Sequence, residues 1–106
     1  MDPNAKVALV TGAGRRIGRA LALALGDTGC RVAVHYNHSE QDANETASLI
    51  KAMGNEAITV KADLEDPTQV EDLAANVYEQ LGSIEIMVNN ASVFDKVGLK
   101  EVSAEE

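Results

Sequence analysis

The chain reads TGAGRRIG from Thr11 to Gly18, directly after the apolar run Val7–Val10. A helical pattern of apolar residues begins within the same turn, at about Arg16. A strand that ends in glycines and turns straight into a helix is an arrangement that binds phosphate, because glycine lets backbone N–H groups approach an anion and a helix N-terminus favours negative charge. Arg15 and Arg16 add positive charge, so the stretch predicts a site for a dinucleotide with an extra phosphate.

The three glycines are spaced Gly12-x-Gly14-x-x-x-Gly18, one residue longer than the commonest dinucleotide-binding fingerprint. Glycine spacing alone is weak evidence. Here, however, an apolar run precedes the glycines and a helical pattern follows them, which is the context that the fingerprint requires. The alternative is a tight turn that needs its glycines only for packing.

Outward from this turn, short apolar runs alternate with helical periodicity. The predicted elements are Val7–Thr11, a helix Arg16–Thr28, Arg31–Tyr36, a helix Glu40–Met53, Ala57–Lys61, a helix from Pro67 closed by Gly82, and Ile84–Asn89. Short strands joined by helices of this length predict a parallel sheet with both faces covered. Right-handed crossovers favour the strand order 3-2-1-4, so the predicted fold class is α/β, a partial doubly wound sheet of the Rossmann type.

The spacing of apolar residues also predicts the buried face of each helix. The residues expected to face inward are Ile17, Ala20, Leu21, Ala24 and Leu25 in the first helix, Ala43, Ala47 and Ile50 in the second, and Val70, Leu73, Ala74, Val77 and Leu81 in the third.

The repeating pattern stops after Asn90, and residues 91–106 have the composition of a loop or of the start of a helix. We therefore interpret residues 1–106 as a single incomplete domain. In a complete doubly wound sheet the fourth strand is central. A sheet of four strands leaves it as an exposed edge, which is able to pair with another chain.

Composition excludes several classes of protein. Of 106 residues, 45% are hydrophobic and 25% are charged, and the net charge is −8. The first 40 residues carry five basic and three acidic side chains, whereas residues 41–106 carry four lysines against fourteen carboxylates. This acidic balance argues against a nucleic-acid-binding surface, while the basic cluster near the N-terminus suits a small anionic ligand.

Compartment and metal content are predicted from the same composition. No apolar run approaches the roughly 18 residues of a membrane span, and the first residues lack a signal-peptide pattern. Cys30 is the single cysteine, which excludes an internal disulfide and fits a reducing compartment. These features predict a cytoplasmic protein without a membrane segment. No spacing of Cys, His and acidic residues matches a metal site.

The tip of the second predicted strand reads His35-Tyr36-Asn37-His38-Ser39 and carries no acidic residue before Glu40. A site for NAD usually places Asp or Glu here to bind the ribose hydroxyls. Asn37, His38 and Ser39 can instead donate hydrogen bonds to a phosphate, so the segment favours NADP(H) over NAD(H). The alternative is that these are ordinary turn residues, with His35 alternating away from the core.

Two further segments follow the carboxyl ends of strands, where such a sheet binds ligands. Asp63 follows the third strand and either accepts a hydrogen bond from an adenine amino group or caps the following turn. Asn90, Ala91 and Ser92 follow the fourth strand, where small residues permit a cofactor to approach closely. Phe94 either stacks on a planar substrate or packs on the edge of the sheet.

In this order and spacing, the four segments resemble the short-chain dehydrogenase/reductase family over nearly the whole chain. The turn from Thr11 to Gly18 is similar to the family's Thr-Gly-x-x-x-Gly-x-Gly, with Arg16 in place of the middle glycine. That replacement, the segment His35–Ser39, the sequence Asn89-Asn90-Ala91-Ser92 and Phe94 resemble pteridine reductases within the family. The departure from their pattern is His38, where an arginine is common.

The resemblance implies a role for each matching residue. Gly12, Gly14, Arg15, Arg16 and Ile17 would line the pyrophosphate and the 2′-phosphate, and Arg16 would also reach the substrate. The segment after the second strand, with Tyr36 at its start, would bind the 2′-phosphate through Asn37, His38 and Ser39. The remaining expected contacts are Asp63 and Leu64 with the adenine, Asn90, Ala91 and Ser92 with the ribose and nicotinamide side, and Phe94 with the substrate.

The resemblance also places the family's catalytic Tyr-x-x-x-Lys pair beyond residue 106, so residues 1–106 contain no expected catalytic residue. Tyr36 and Tyr78 do not substitute for it, because Glu40 and Gly82 stand four residues after them. The expected activity of the complete enzyme is NADPH-dependent hydride transfer to a C=N or C=O group. The alternatives are a 3-oxoacyl-carrier or general carbonyl reductase, and an inactive nucleotide-binding fragment that self-associates. Homotetramers are usual in this family.

Overall fold

The computed structural model describes residues 5–13 and 16–90, which form four strands and three helices in the order predicted. The elements are β1 Val7–Thr11, α1 Arg16–Asp27, β2 Arg31–Tyr36, α2 Glu40–Ala52, β3 Ala57–Lys61, α3 Pro67–Gln80 and β4 Ile84–Asn89. All neighbouring strands are parallel, in the order β3-β2-β1-β4. The predicted fold class, strand order and strand bounds are confirmed, and α1 and α2 each end one residue earlier than predicted.

The two faces of the sheet are covered by different helices. Every residue of β1 is buried, as expected for an inner strand of a parallel sheet. On one face, Val10 packs in a cluster with Ala22 of α1 and Ile50 of α2. On the other face, Leu9 packs in a cluster with Leu73 of α3. The crossovers that leave β1 and that enter β4 therefore run on opposite faces.

The predicted buried face of α1 is wrong. The buried residues are Gly18, Ala22 and Gly26, whereas Ile17 is 53% exposed and Leu21 is 36% exposed. Ala20 and Ala24 are also exposed, and Leu25 is only partly buried. The physical reason is close approach, since small residues four apart form a flat stripe that lets the helix axis lie near its neighbours. A Cβ added to Gly26 would lie 3.0 Å from Cγ2 of Ile50 in α2.

The predictions for the other helices are closer. In α2, Ala43, Ala47 and Ile50 are buried as predicted, together with Thr46. In α3, Leu73 and Val77 are buried as predicted, and Leu81 is buried just after the helix. Val70 is 37% exposed and Ala74 is exposed, so these two predictions are wrong.

The strand β4 is an edge of the sheet within residues 5–13 and 16–90. Its side chains alternate between partly buried and exposed, and the exposed set is Glu85, Met87 and Asn89. Met87 is 60% exposed although it pairs in register with the buried Leu9 of β1. One face of β4 is therefore uncovered by the elements that the structure describes.

No helix within the described part of the chain has both the length and the apolar character needed to cross a membrane.

Candidate functional site

The candidate site lies at the carboxyl ends of β1 and β4. These two strands are neighbours, and the chain leaves the first and enters the second by crossovers on opposite faces. In open α/β sheets such a switch point opens a crevice in which ligands bind. The turn that begins at Gly12 and the loop that begins at Asn90 both start here.

The turn after β1 is closed by a contact that only glycine permits. Gly12 adopts a left-handed backbone with φ 63°. A Cβ added to Gly18, in the first turn of α1, would lie 2.0 Å from the carbonyl oxygen of Gly12 and 2.7 Å from Nδ2 of Asn90. Gly18 therefore lets the start of α1 rest against the turn, which is the packing role that the sequence left as an alternative.

Arg16 carries an unusual backbone conformation, with φ 54°. It is the one non-glycine residue with positive φ among those that the structure describes. An L-residue in the left-handed region is less stable than glycine there by about 1–2 kcal/mol. Such strain persists where the surrounding structure or a function requires the side chain. The exposed side chain of Arg16 lies at the first residue of α1, where the helix dipole also attracts anions.

The side chain of His35 is part of the site, which the sequence did not predict. It is 2% exposed and lies one residue before the end of β2. Its Nδ1 accepts a hydrogen bond of 3.0 Å from the backbone N–H of Gly12, and its Nε2 lies 2.9 Å from the carbonyl oxygen of Ala62. The alternative in which His35 is an ordinary turn residue that alternates away from the core is therefore wrong. Burial lowers the pKa of His35 below 6.5, against the smaller opposite effect of the hydrogen bond to Ala62.

Thr11 joins the end of β1 to the end of β4. Its hydroxyl accepts a hydrogen bond of 2.8 Å from the backbone N–H of Asn90, and it lies 3.2 Å from Oδ1 of Asn89. Nδ2 of Asn90 in turn donates to the carbonyl oxygen of Gly12 at 3.3 Å. Asn90 therefore fixes the path of the chain at the switch point.

The tip of β2 presents polar side chains at the N-terminus of α2. Asn37 and Ser39 are partly exposed and His38 is exposed. Ser39 is the N-cap residue of α2, but its side chain makes no capping hydrogen bond. The first N–H groups of a helix have no partner within it, so this helix end is a suitable place for an anion. The carboxylate of Glu40 lies in the first turn of the same helix.

Tyr36 is partly buried beside the cluster under α1 and α2. Desolvation, and secondarily the negative charge of Glu40, raise the pKa of its phenol above 10.0. A raised pKa keeps this phenol protonated at neutral pH, whereas proton transfer is favoured by a pKa near the working pH. That Tyr36 does not replace the family's catalytic tyrosine stays a prediction.

Asp63 is engaged in the turn after β3. Its Oδ1 accepts a hydrogen bond of 3.0 Å from the N–H of Glu65, and its own N–H donates to Oε1 of Gln69 at 2.8 Å. The structure thus bears out the turn-capping alternative for one carboxylate oxygen, and the contact with adenine stays a prediction. Leu64 is partly buried against the cluster under α3.

Five of the predicted site residues lie outside the described residues, namely Gly14, Arg15, Ala91, Ser92 and Phe94. Among the residues that are described, no group of three or more His, Cys, Asp or Glu side chains is arranged to hold a metal ion. The sequence offered one signal for His35, which is a polar residue directly after the apolar run Val32–Val34 within β2.

Comparison with known proteins identifies the family. Residues 6–106 match the family described as short chain dehydrogenase. The chain belongs to the short-chain dehydrogenase/reductase family. Versicolorin reductase 1 of Aspergillus parasiticus is 44% identical over 103 residues, which are 97% of this chain and 39% of that relative. YusS of Bacillus subtilis, a short-chain dehydrogenase/reductase homologue, is 35% identical over 99 residues, which are 93% of this chain and 91% of the relative.

Solved structures of this dehydrogenase/reductase family share the arrangement. The angucycline C-6 ketoreductase LanV with bound NADP superposes with a TM-score of 0.72 at 46% identity, covering 81% of this chain and 36% of that one. A dehydrogenase from Burkholderia cenocepacia with bound NADP gives a TM-score of 0.76 at 36% identity, covering 80% and 33%. The chain thus spans about two fifths of the length of the first curated relatives it matches, which have 39% of their length covered.

Proposed function

We propose that this chain forms the NADP(H)-binding part of a short-chain reductase that acts on a ketone. The observation that carries the proposal is the tip of β2, where Asn37, His38 and Ser39 precede a helix end whose N-cap side chain makes no capping bond. The 2′-phosphate that distinguishes NADP from NAD is suited to such a helix end, whereas a carboxylate at the strand tip would repel it. Two family members of solved structure contain NADP, which supports the same cofactor here.

Arg16 supplies the positive charge of the proposed site. Its exposed side chain begins α1 at the switch point, and its left-handed backbone is retained where glycine would be less strained. We infer that its guanidinium pairs with the 2′-phosphate in a charge-assisted hydrogen bond. The proposed site includes Gly12, Gly14, Arg15 and Ile17 at the pyrophosphate, Tyr36 beside the 2′-phosphate, Asp63 and Leu64 at the adenine, and Asn90, Ala91 and Ser92 toward the nicotinamide.

The residues that the structure describes fit this cofactor. The start of α1 reaches the crevice, because Gly18 has no Cβ to hold it away from the Gly12 carbonyl. When bound, NADPH would supply a hydride to the substrate. In this chain the residues would bind and orient the cofactor, while the family's Tyr-x-x-x-Lys pair, which residues 1–106 do not contain, would donate the proton.

Nucleotide titration of the chain tests the cofactor. NADPH and NADH are each titrated at fixed ionic strength while the nicotinamide fluorescence is followed. We expect NADPH to bind about tenfold or more tightly, the usual effect of one added charge-assisted hydrogen bond. Arg16→Ala should reduce the ratio of the NADPH affinity to the NADH affinity. Lys51→Ala should leave this ratio unchanged, because Lys51 lies in the last turn of α2, at the opposite end from the proposed site. Equal affinities for the two nucleotides would contradict the proposal.

Substrate class is proposed from the relatives. The relatives named above include a versicolorin reductase and a C-6 ketoreductase, and these favour a carbonyl substrate. The second candidate is a pteridine reductase, which Arg16 favours together with Ser92 and Phe94. The test is NADPH oxidation by the protein continued to the full family length, with a ketone and with a pterin. Faster turnover of the pterin would overturn the preference for a ketone. We expect no turnover by residues 1–106 alone.

Self-association is a further candidate for residues 1–106 in isolation. The uncovered face of β4 and the 60% exposure of Met87 favour it. An unpaired parallel edge is a template for pairing with another copy. Sedimentation over a range of concentrations tests this, and Met87→Lys should shift the chain toward monomer. The tetramer expected from the family, and the cytoplasmic location, stay predictions.

A further inference from the structure

His35 holds two consecutive amides of the glycine turn, one through its imidazole ring and one through its backbone carbonyl. The N–H of Gly12 donates to Nδ1 of His35, and the N–H of Ala13 donates to the carbonyl oxygen of the same residue at 3.0 Å. The opposite side of the ring reaches the carbonyl oxygen of Ala62, immediately after β3. His35 thereby ties the ends of three strands together.

We propose that His35 is a positioning residue that fixes the Gly12 peptide, against which the start of α1 rests, for binding of the dinucleotide. Its effect on the ligand rests on the proposed function, whereas its hold on the turn rests on the hydrogen bonds alone. His35 does not itself contact the cofactor in this proposal. It acts through the peptide group of Gly12.

The hydrogen-bond partners settle the tautomer of the ring. A backbone N–H can only donate, so Nδ1 must present its lone pair to Gly12. A carbonyl oxygen can only accept, so Nε2 must carry the proton that it donates to Ala62. The ring is therefore neutral and makes two different hydrogen bonds at its two nitrogens. No other protonation state satisfies both partners.

The position of the Gly12 peptide decides what the turn offers to an anion. The N–H groups of Gly12 and Ala13 point to His35 and are not free for phosphate. The carbonyl of Gly12 is held on its other side by Nδ2 of Asn90 and by the close approach of Gly18. Gly12 can then line the pyrophosphate only through its Cα, and the first turn of α1 is the described segment that still offers backbone N–H groups to a phosphate. A displaced Gly12 peptide would displace that helix start, and errors of about 1 Å in positioning are enough to weaken a site.

Two substitutions separate the two hydrogen bonds. In His35→Asn, Oδ1 occupies the position of Nδ1 and can still accept from Gly12, while the bond to Ala62 is lost. In His35→Gln, Nε2 occupies the position of the ring Nε2 and can still donate to Ala62, while Gly12 loses its acceptor. Each variant loses one buried hydrogen bond, so comparable falls in melting temperature are expected. Val60→Ala is the matched control, because Val60 is buried and pairs in register with His35 in the neighbouring strand.

The expected result is a difference between the two variants in NADPH binding. His35→Gln should weaken binding about tenfold, the effect of one lost hydrogen bond, and His35→Asn should stay within about threefold of the unmodified chain. At temperatures where the Val60→Ala variant is folded, it should bind NADPH with the same affinity as the unmodified chain. Equal weakening in all three variants would show that His35 acts only through stability, and would overturn the proposal.

Amide hydrogen exchange gives a readout that needs no ligand. The N–H of Gly12 should exchange slowly in the unmodified chain and in His35→Asn, and faster in His35→Gln. The same exchange rate in both variants would overturn the hold of His35 on the turn. If the unmodified chain binds neither NADPH nor NADH, the proposed function fails and the ligand part of this inference fails with it. The exchange rates then still decide whether His35 holds the turn.

Discussion

Nδ1 of His35 lies 3.0 Å from the backbone nitrogen of Gly12, across the carboxyl ends of two neighbouring strands. The partner is a main-chain N–H, so the bond exists only while Nδ1 is unprotonated. Protonation of the ring would place two N–H groups against each other. The stability of the turn is therefore coupled to the charge of one buried residue.

The first prediction is a loss of stability in mild acid. Burial lowers the pKa of His35 in the folded chain below its ordinary value of 6.5. Well above pH 6.5 the ring is neutral in both the folded and the unfolded chain. The neutral ring then contributes its full stabilisation to the folded state. As the pH falls below 6.5, the unfolded state takes up a proton that the folded state resists, so the free energy of unfolding falls by at most about 1.4 kcal/mol per pH unit. The free energy of unfolding keeps falling until the pH reaches the lowered pKa of His35 in the folded chain.

Thermal unfolding between about pH 7.5 and pH 5.5 measures this effect. The matched control is His35→Asn, which retains His38 and every carboxylate but lacks the buried ring. Its melting temperature should change less over the same interval. An identical pH dependence in the two proteins would show that other groups cause the acid sensitivity.

The second prediction concerns the close approach at Gly18. Its Cβ in Gly18→Ala would meet the Gly12 carbonyl oxygen at 2.0 Å, and a backbone atom cannot move aside cheaply. We expect a loss of about 1–3 kcal/mol in the free energy of unfolding and weaker binding of NADPH. In the matched variant Gly26→Ala, the new Cβ meets only the Ile50 side chain at 3.0 Å. The gain in helix propensity of about 1 kcal/mol offsets that contact, so the net change should be small. Similar losses in both variants, measured by denaturant unfolding, would contradict the steric argument.

The third prediction separates stability from affinity at Arg16. Glycine at φ 54° avoids the steric penalty of an L-residue, so Arg16→Gly should be more stable than Arg16→Ala by about 1 kcal/mol. Both substitutions remove the guanidinium, so both should reduce the preference for NADPH over NADH. Urea unfolding and nucleotide titration measure the two effects independently. The interpretation of Arg16 as a strained functional residue fails if Arg16→Gly keeps the full preference for NADPH.

Much of the fold was predictable because its signals are local. The strands Val7–Thr11 and Ile84–Asn89 are short, mostly apolar segments, and Pro67 marks the start of α3, so their bounds follow from neighbouring residues. The buried face of α1 was not predictable in the same way. Ile17 and Leu21 are the more hydrophobic residues, but close packing against the turn and α2 selects the stripe of small residues instead.

The residues of the candidate site also divide into those that local sequence predicts and those that it does not. The glycine turn and the acid-free tip of β2 are visible in the sequence because their spacing is local. The role of His35 depends on Gly12, 23 residues earlier, and on Ala62, 27 residues later. The turn-capping bond of Asp63 to Glu65 is local, and the sequence offered it as the alternative to a contact with adenine. The contacts of His35, in contrast, are decided by which strands are neighbours, and that information is not local.

The last prediction contrasts the N-caps of two helices. The carboxylate of Asp66 accepts a hydrogen bond of 3.0 Å from the N–H of Thr68 at the start of α3. Asp66→Ala should therefore lower the free energy of unfolding by about 1 kcal/mol, whereas Asp66→Asn keeps an acceptor and should lose less. Ser39 makes no capping bond to α2, so Ser39→Ala should leave stability nearly unchanged while weakening NADPH relative to NADH. Chemical unfolding and nucleotide titration of the three variants give the comparison. A stability loss in Ser39→Ala equal to that in Asp66→Ala, with the nucleotide preference unchanged, would show that Ser39 serves the helix and not the ligand.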